Sequence, residues 1–90
     1  MSAGRILVVD DEAQVRRLLR DCFEADGYEV AEADGEDSLK RAIQASGFDL
    51  ITLDIRMNGA NGLDLISTIR SQTDVPIHLR NDRGGTEPGN

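Results

Sequence analysis

A chain of 90 residues with 10 basic and 17 acidic side chains carries a formal charge of −7, with 39% hydrophobic and only 3% aromatic residues. That length excludes more than one domain and leaves a small, aliphatic core. The acidity argues against a nucleic-acid partner, and no run approaches the roughly 20 apolar residues of a membrane span.

The opening MSAGR has no basic stretch followed by an apolar one, so no export signal is read. Cys22 is the only cysteine, which excludes an internal disulfide and makes it a core residue rather than a reactive thiol. The expectation is a soluble, cytoplasmic domain.

RILVVD (Arg5–Asp10) is a short continuous apolar run, the pattern of a strand buried on both faces. Val15, Leu18, Leu19, Cys22 and Phe23 then recur at helical spacing, predicting an amphipathic helix that Gly27 terminates. YEVAEA (Tyr28–Ala33) is near-alternating, as in a strand with thinner cover. A second helix is predicted from Gly35 to about Ser46, with Asp34, Glu36 and Asp37 at its positive end and Leu39, Ala42 and Ile43 facing inward.

DLITLD (Asp49–Asp54) predicts another buried strand, followed by a loop over Ile55–Gly62. A third helix runs from Leu63 to about Ser71, with Leu65, Ile66 and Ile69 inward, and a fourth strand spans Asp74–Leu79. Strict alternation of strand and helix means an α/β sheet of parallel strands joined by right-handed crossovers.

In such sheets the ligand crevice lies beyond the carboxyl ends of the strands. Asp10 and Asp11 close the first strand and Asp54 closes the third. If those strands are neighbours, three carboxylates converge, and without a cation at least one is pushed toward protonation. An oxygen-only donor set selects Mg²⁺, Mn²⁺ or Ca²⁺, and Mg²⁺, which keeps several waters, fits best. Helix capping accounts for Asp10–Asp11 equally well when that pair is taken alone; Asp54 tips the balance toward a site.

ILVVDDE (6–12), DLITLDIRMNGANGLDLI (49–66) and DVPI (74–77), in this order, resemble the receiver domain of bacterial response regulators. The resemblance covers about residues 5–77. It implies a flavodoxin-like open parallel sheet in strand order 2-1-3-4 with three helices. It also implies that Asp54 is the phosphoacceptor for a histidine kinase or phosphotransfer protein. Asp11 would bind Mg²⁺ directly, Asp10 mainly through water, and the backbone carbonyl of Arg56 would complete the protein's share of the shell.

The pattern departs from the family at its end. The usual Thr or Ser position falls on Asn81, Asn58 replaces a loop proline, and the sole lysine, Lys40, lies on the second helix. Arg80 or Arg83 could supply positive charge in place of the missing lysine, but neither is assigned that role. Val75, Ile77 and Leu79 alternate with Pro76, His78 and Arg80, which suits an edge strand with one wet face and a solvated His78.

Residues 1–80 are thus read as an incomplete receiver lacking the fifth strand and last helices, and 81–90 as a flexible polar tail. The expected function is that of a single-domain receiver in a His-to-Asp phosphorelay, consumed as substrate rather than acting as an enzyme. The alternative is a phosphorylation-incompetent interaction module. The uncovered sheet face or edge strand predicts a homodimer.

Overall fold

A computed structural model describes residues 3–45, 47–54 and 62–80. Seven elements alternate along them: β1 (Arg5–Val9), α1 (Ala13–Ala25), β2 (Glu29–Ala33), α2 (Glu36–Ala45), β3 (Leu50–Asp54), α3 (Gly62–Arg70) and β4 (Ile77–Arg80). The four strands form one parallel sheet in the order β2-β1-β3-β4. This is the flavodoxin-like arrangement that the sequence predicts.

Handedness decides which face each helix covers. The chain steps from β1 outward to β2, then back across β1 to β3 and on to β4. Right-handed crossovers therefore put α1 on one face and both α2 and α3 on the other. The packing follows this division. Leu7, Val9, Ala33, Ile51 and Leu53 on one sheet face join Leu39 and Ile43 of α2 and Leu65 and Ile69 of α3 in a single cluster. Ile6, Val8 and Thr52 have the opposite parity and lie buried on the α1 side.

The α1 face is held differently from the other. No residue of α1 is fully buried. Val15, Leu19 and Phe23 are half-buried, whereas Cys22 is exposed and Leu18 is 62% exposed. The expectation of a core Cys22 is therefore corrected, and the amphipathic stripe is inward only in part. Among the described residues α1 is the only helix on this face, so one sheet contact covers only part of a broad apolar stripe.

Polar contacts supplement that packing. Arg16 donates Nε to Glu32 Oε1 at 3.0 Å and Nη1 to the Asp10 carbonyl at 2.7 Å. Arg20 pairs Nη1 with Glu32 Oε2 at 3.0 Å and donates Nη2 to the Val30 carbonyl at 2.8 Å. Glu32 thus ties two successive turns of α1 to β2.

The fourth strand begins later than predicted. Pro76 has no N–H to give a ladder, and its carbonyl accepts from Ile51 N at 3.0 Å. At the other end the strand includes Arg80, and the expected alternation inverts. Leu79 is 44% exposed and the Arg80 side chain only 9%, while His78 is exposed as expected. Leu79 lies on the α2–α3 face beyond the reach of those helices, and Arg80 turns over the sheet's carboxyl edge toward acidic groups. Residues 81–90 lie outside the described residues, as do Asn58 and Arg56, so neither the polar tail nor the Asn81 position is described.

The end of α1 shows how local sequence sets chain direction. Gly27 has φ +95°, its N–H reaches the Glu24 carbonyl at 3.0 Å, and Tyr28 N reaches the Phe23 carbonyl at 3.1 Å. These are the paired bonds of a Schellman cap, and the accompanying apolar contact is the edge-on pair Phe23–Tyr28 at 6.2 Å. A side chain at Gly27 would meet almost no atoms, so its cost is backbone strain alone. Gly27→Ala is expected to lower stability by about 1 kcal/mol in urea titration. Gly35→Ala, where a Cβ meets nothing within 4 Å and φ is ordinary, is expected to change stability little; equal losses at both positions would contradict this assignment.

Candidate metal centre and strand-end site

Register brings the candidate residues together. Val9 pairs with Leu53 across β1 and β3, so the next residues, Asp10 and Asp54, stand level at the carboxyl edge. Both have the parity of Val8 and Thr52 and share the α1 face. Each is completely buried, and Asp11 beside them is partly exposed. One carboxylate oxygen from each of Asp10, Asp11 and Asp54 lies within 4.8 Å of the others. The convergence expected from the sequence is therefore present.

Asp10 is bonded through its backbone and both carboxylate oxygens. Its N–H donates to the Ala33 carbonyl at 3.1 Å, extending the β1–β2 ladder by one bond. Oδ1 accepts from Glu12 N at 2.8 Å, an Asx turn that reverses the chain into α1. Oδ2 accepts from Arg80 Nη1 at 2.9 Å. Asp10 does not cap the helix itself: Glu12 holds the cap position, with extended φ and ψ and no side-chain cap bond.

Arg80, set aside above as a stand-in for the missing lysine, does reach the site. It pairs with Asp54 in the β3–β4 register, so it too stands at the level of Asp10 and Asp54 on the same face. Its side chain reaches two strands across, donating Nη1 to Asp10 and Nη2 to the Val9 carbonyl at 2.7 Å. The pair Asp10–Arg80 is nearly dry, with side-chain exposures of 0% and 9%. Removing one partner of a buried pair typically costs about 3–5 kcal/mol, because the other charge is left uncompensated.

The available signal for Arg80 was positional. Two residues on from His78, which pairs with Thr52, any side chain faces Asp54. Without the register, an arginine alternating with His78 reads as solvent-facing.

Chemically, the edge presents three hard oxygen donors and one fixed guanidinium. The donor set suits a small divalent cation and offers no thiolate or imidazole. A carboxylate on a rigid strand end, buried and level with a neighbouring cation, is also a suitable nucleophile for an electrophilic phosphorus.

The chain matches the response regulator receiver domain family over residues 6–81. It is 40% identical to the transcriptional regulatory protein ResD of Bacillus subtilis over 81 residues, covering 89% of this chain and 33% of ResD. It is 44% identical to the alginate biosynthesis transcriptional regulatory protein AlgB of Pseudomonas putida over 69 residues, covering 77% of this chain and 15% of AlgB. The chain thus spans a third or less of either regulator.

Among solved structures it superposes on the non-phosphorylated HemR receiver domain of Leptospira biflexa with a TM-score of 0.80. There the identity is 30%, and the match covers 92% of this chain and 68% of that one. It superposes equally well (TM-score 0.80, 36% identity, 88% and 69% coverage) on a chain in the crystal structure of the histidine kinase ThkA with the response regulator protein TrrA. Among the described residues no helix is long and apolar enough to cross a membrane. Since the family match takes in every described strand and helix but the first residue of β1, the chain belongs to the response regulator receiver domains, the signal-receiving modules of two-component phosphorelays.

Proposed function

We propose that the chain accepts a phosphoryl group on Asp54 from the phosphohistidine of a histidine kinase or phosphotransfer protein in the cytoplasm. The observation that carries this reading is the meeting of Asp10, Asp11 and Asp54 oxygens within 4.8 Å at one strand edge. An Asp54 carboxylate oxygen attacks phosphorus, the O–P bond forms as the N–P bond breaks, and the departing imidazole keeps the electron pair and takes up a proton. Aspartyl phosphate then constitutes the signal. The chain is the substrate of this transfer and is not a turnover enzyme.

The donor set fits Mg²⁺. Asp11, half-exposed at the rim, would hold it directly, and Asp10 mainly through water. Asp54 would share it, and the Arg56 backbone carbonyl would complete the protein's part of the shell; Arg56 lies outside the described residues and its part rests on family resemblance. When bound, the cation offsets charge on the oxygens being transferred. The protein's own contribution is positional. Asp54 is fixed by its strand and fully buried, which limits water's access to the nucleophile.

A second reading has one specific support. Leu18 at 62% and Leu79 at 44% exposure leave apolar area on both sheet faces, and Arg80 already neutralises part of the acidic edge. Both suit a phosphorylation-incompetent module that associates with a second copy through the uncovered face or the β4 edge.

Incubation with acetyl phosphate and Mg²⁺, followed by intact-mass measurement, is expected to add one phosphoryl group to the wild-type chain and none to Asp54→Asn. No adduct on the wild type, with a concentration-dependent dimer in sedimentation, would favour the second reading.

Metal binding is tested separately. Asp11→Ala is expected to weaken Mn²⁺ binding, followed by the free-ion EPR signal, at least about tenfold, since even indirect ligand-supporting groups carry effects of that size. Unchanged affinity would exclude Asp11 as a ligand.

A further inference from the structure

The acidic edge carries a cation of its own. Arg80 reaches Asp10 across β3, passing over the strand that ends in Asp54, and is anchored at its far end by the Val9 carbonyl. Asp10 and the Val9 carbonyl both hold the guanidinium, and the Arg80 side chain is only 9% exposed. Asp10 has both oxygens in use, Oδ1 on the Glu12 N–H and Oδ2 on Arg80. Any further positive charge bound to this carboxylate shares Oδ1 with the Glu12 N–H, shares Oδ2 with the guanidinium, or takes the guanidinium's place.

We propose that Arg80 is the resident countercharge of the strand-end site and an antagonist of divalent cation binding there, so that a bound metal ion drives the guanidinium off Asp10. The proposal deepens the metal-binding reading above and rests on it. An ion held among Asp10, Asp11 and Asp54 sits within a few ångströms of Arg80 Nη1, because the three donor oxygens lie within 4.8 Å of one another and Asp10, through water or directly, faces both cations. At such separations in a poorly hydrated site, like charges repel strongly.

Arginine suits this part better than lysine would. Its planar fork engages a carboxylate and a carbonyl together. The metal-free state is consequently well ordered, and release of Arg80 couples ion binding to movement of the β4 end. Coupling is reciprocal: whatever affinity Arg80 costs the ion, the ion costs the Arg80–Asp10 contact.

The test compares Mn²⁺ affinity of the full chain, Arg80→Gln and Asp11→Ala at fixed ionic strength, by EPR of free Mn²⁺. Arg80→Gln, which keeps a polar side chain without the charge, is expected to bind at least about tenfold more tightly than wild type, within the usual span of coupling between sites. Binding by wild type and Arg80→Gln with equal affinity, or weaker binding by Arg80→Gln, overturns the antagonism and leaves the metal site standing. No binding by either folded chain overturns the metal reading and the proposal with it.

Should Arg80→Gln fail to fold, the wild-type chain answers alone through NMR of its ¹⁵N-arginine side chains. The Arg80 guanidinium protons are expected to exchange slowly without metal and to lose that protection on saturation with Mg²⁺. Protection that survives saturation contradicts the proposal.

Discussion

Parallel register in this fold forces like charges together. Because β1 and β3 are neighbours paired at Val9–Leu53, Asp10 and Asp54 have to end level on one face, and Asp11 follows directly. Two of these carboxylates are fully buried. A cluster of this kind persists only where positive charge or N–H donors meet it. The chain supplies these from three directions: the Glu12 N–H to Oδ1 of Asp10, Arg80 to Oδ2, and Arg16 to the Asp10 carbonyl.

The surrounding architecture serves that convergence unevenly. On the α2–α3 face, apolar packing alone explains the order: Leu39, Ile43, Leu65 and Ile69 close over Leu7, Val9, Ile51 and Leu53. On the α1 face, Arg16 and Arg20 bridge to Glu32, and Arg16 also grips the backbone of Asp10. The helix that follows the acidic segment is thereby tied to the site through charge-assisted bonds. Together with the Glu12 N–H on Oδ1, the Arg16 bond to the Asp10 carbonyl connects the strand-end acids to the start of α1.

Much of this was legible in the residues. Continuous apolar runs marked β1 and β3 as buried strands, helical periods marked the first two helices with Gly27 ending the first, and alternation of elements fixed a parallel sheet. The three strand-end acids followed once two of those strands were taken as neighbours. What local pattern could not supply was the partner across the sheet. Cys22 reads as core because it lies on the apolar stripe, yet exposure depends on what else packs against α1. Arg80 reads as wet because it alternates with His78, yet its long side chain turns over the edge to an ion pair 70 residues away in sequence. Both misreadings arise where tertiary placement overrides a two-residue or four-residue period.

The most direct examination is a pair of crystal structures of the full chain, one grown with chelator and one soaked in Mn²⁺ with anomalous data collected. One anomalous peak is expected among the carboxylates of residues 10, 11 and 54, with the guanidinium of residue 80 seated on residue 10 only in the chelated crystal. A saturating soak that leaves those carboxylates without a peak, or a chelated crystal in which residue 80 lies away from residue 10, would contradict the account.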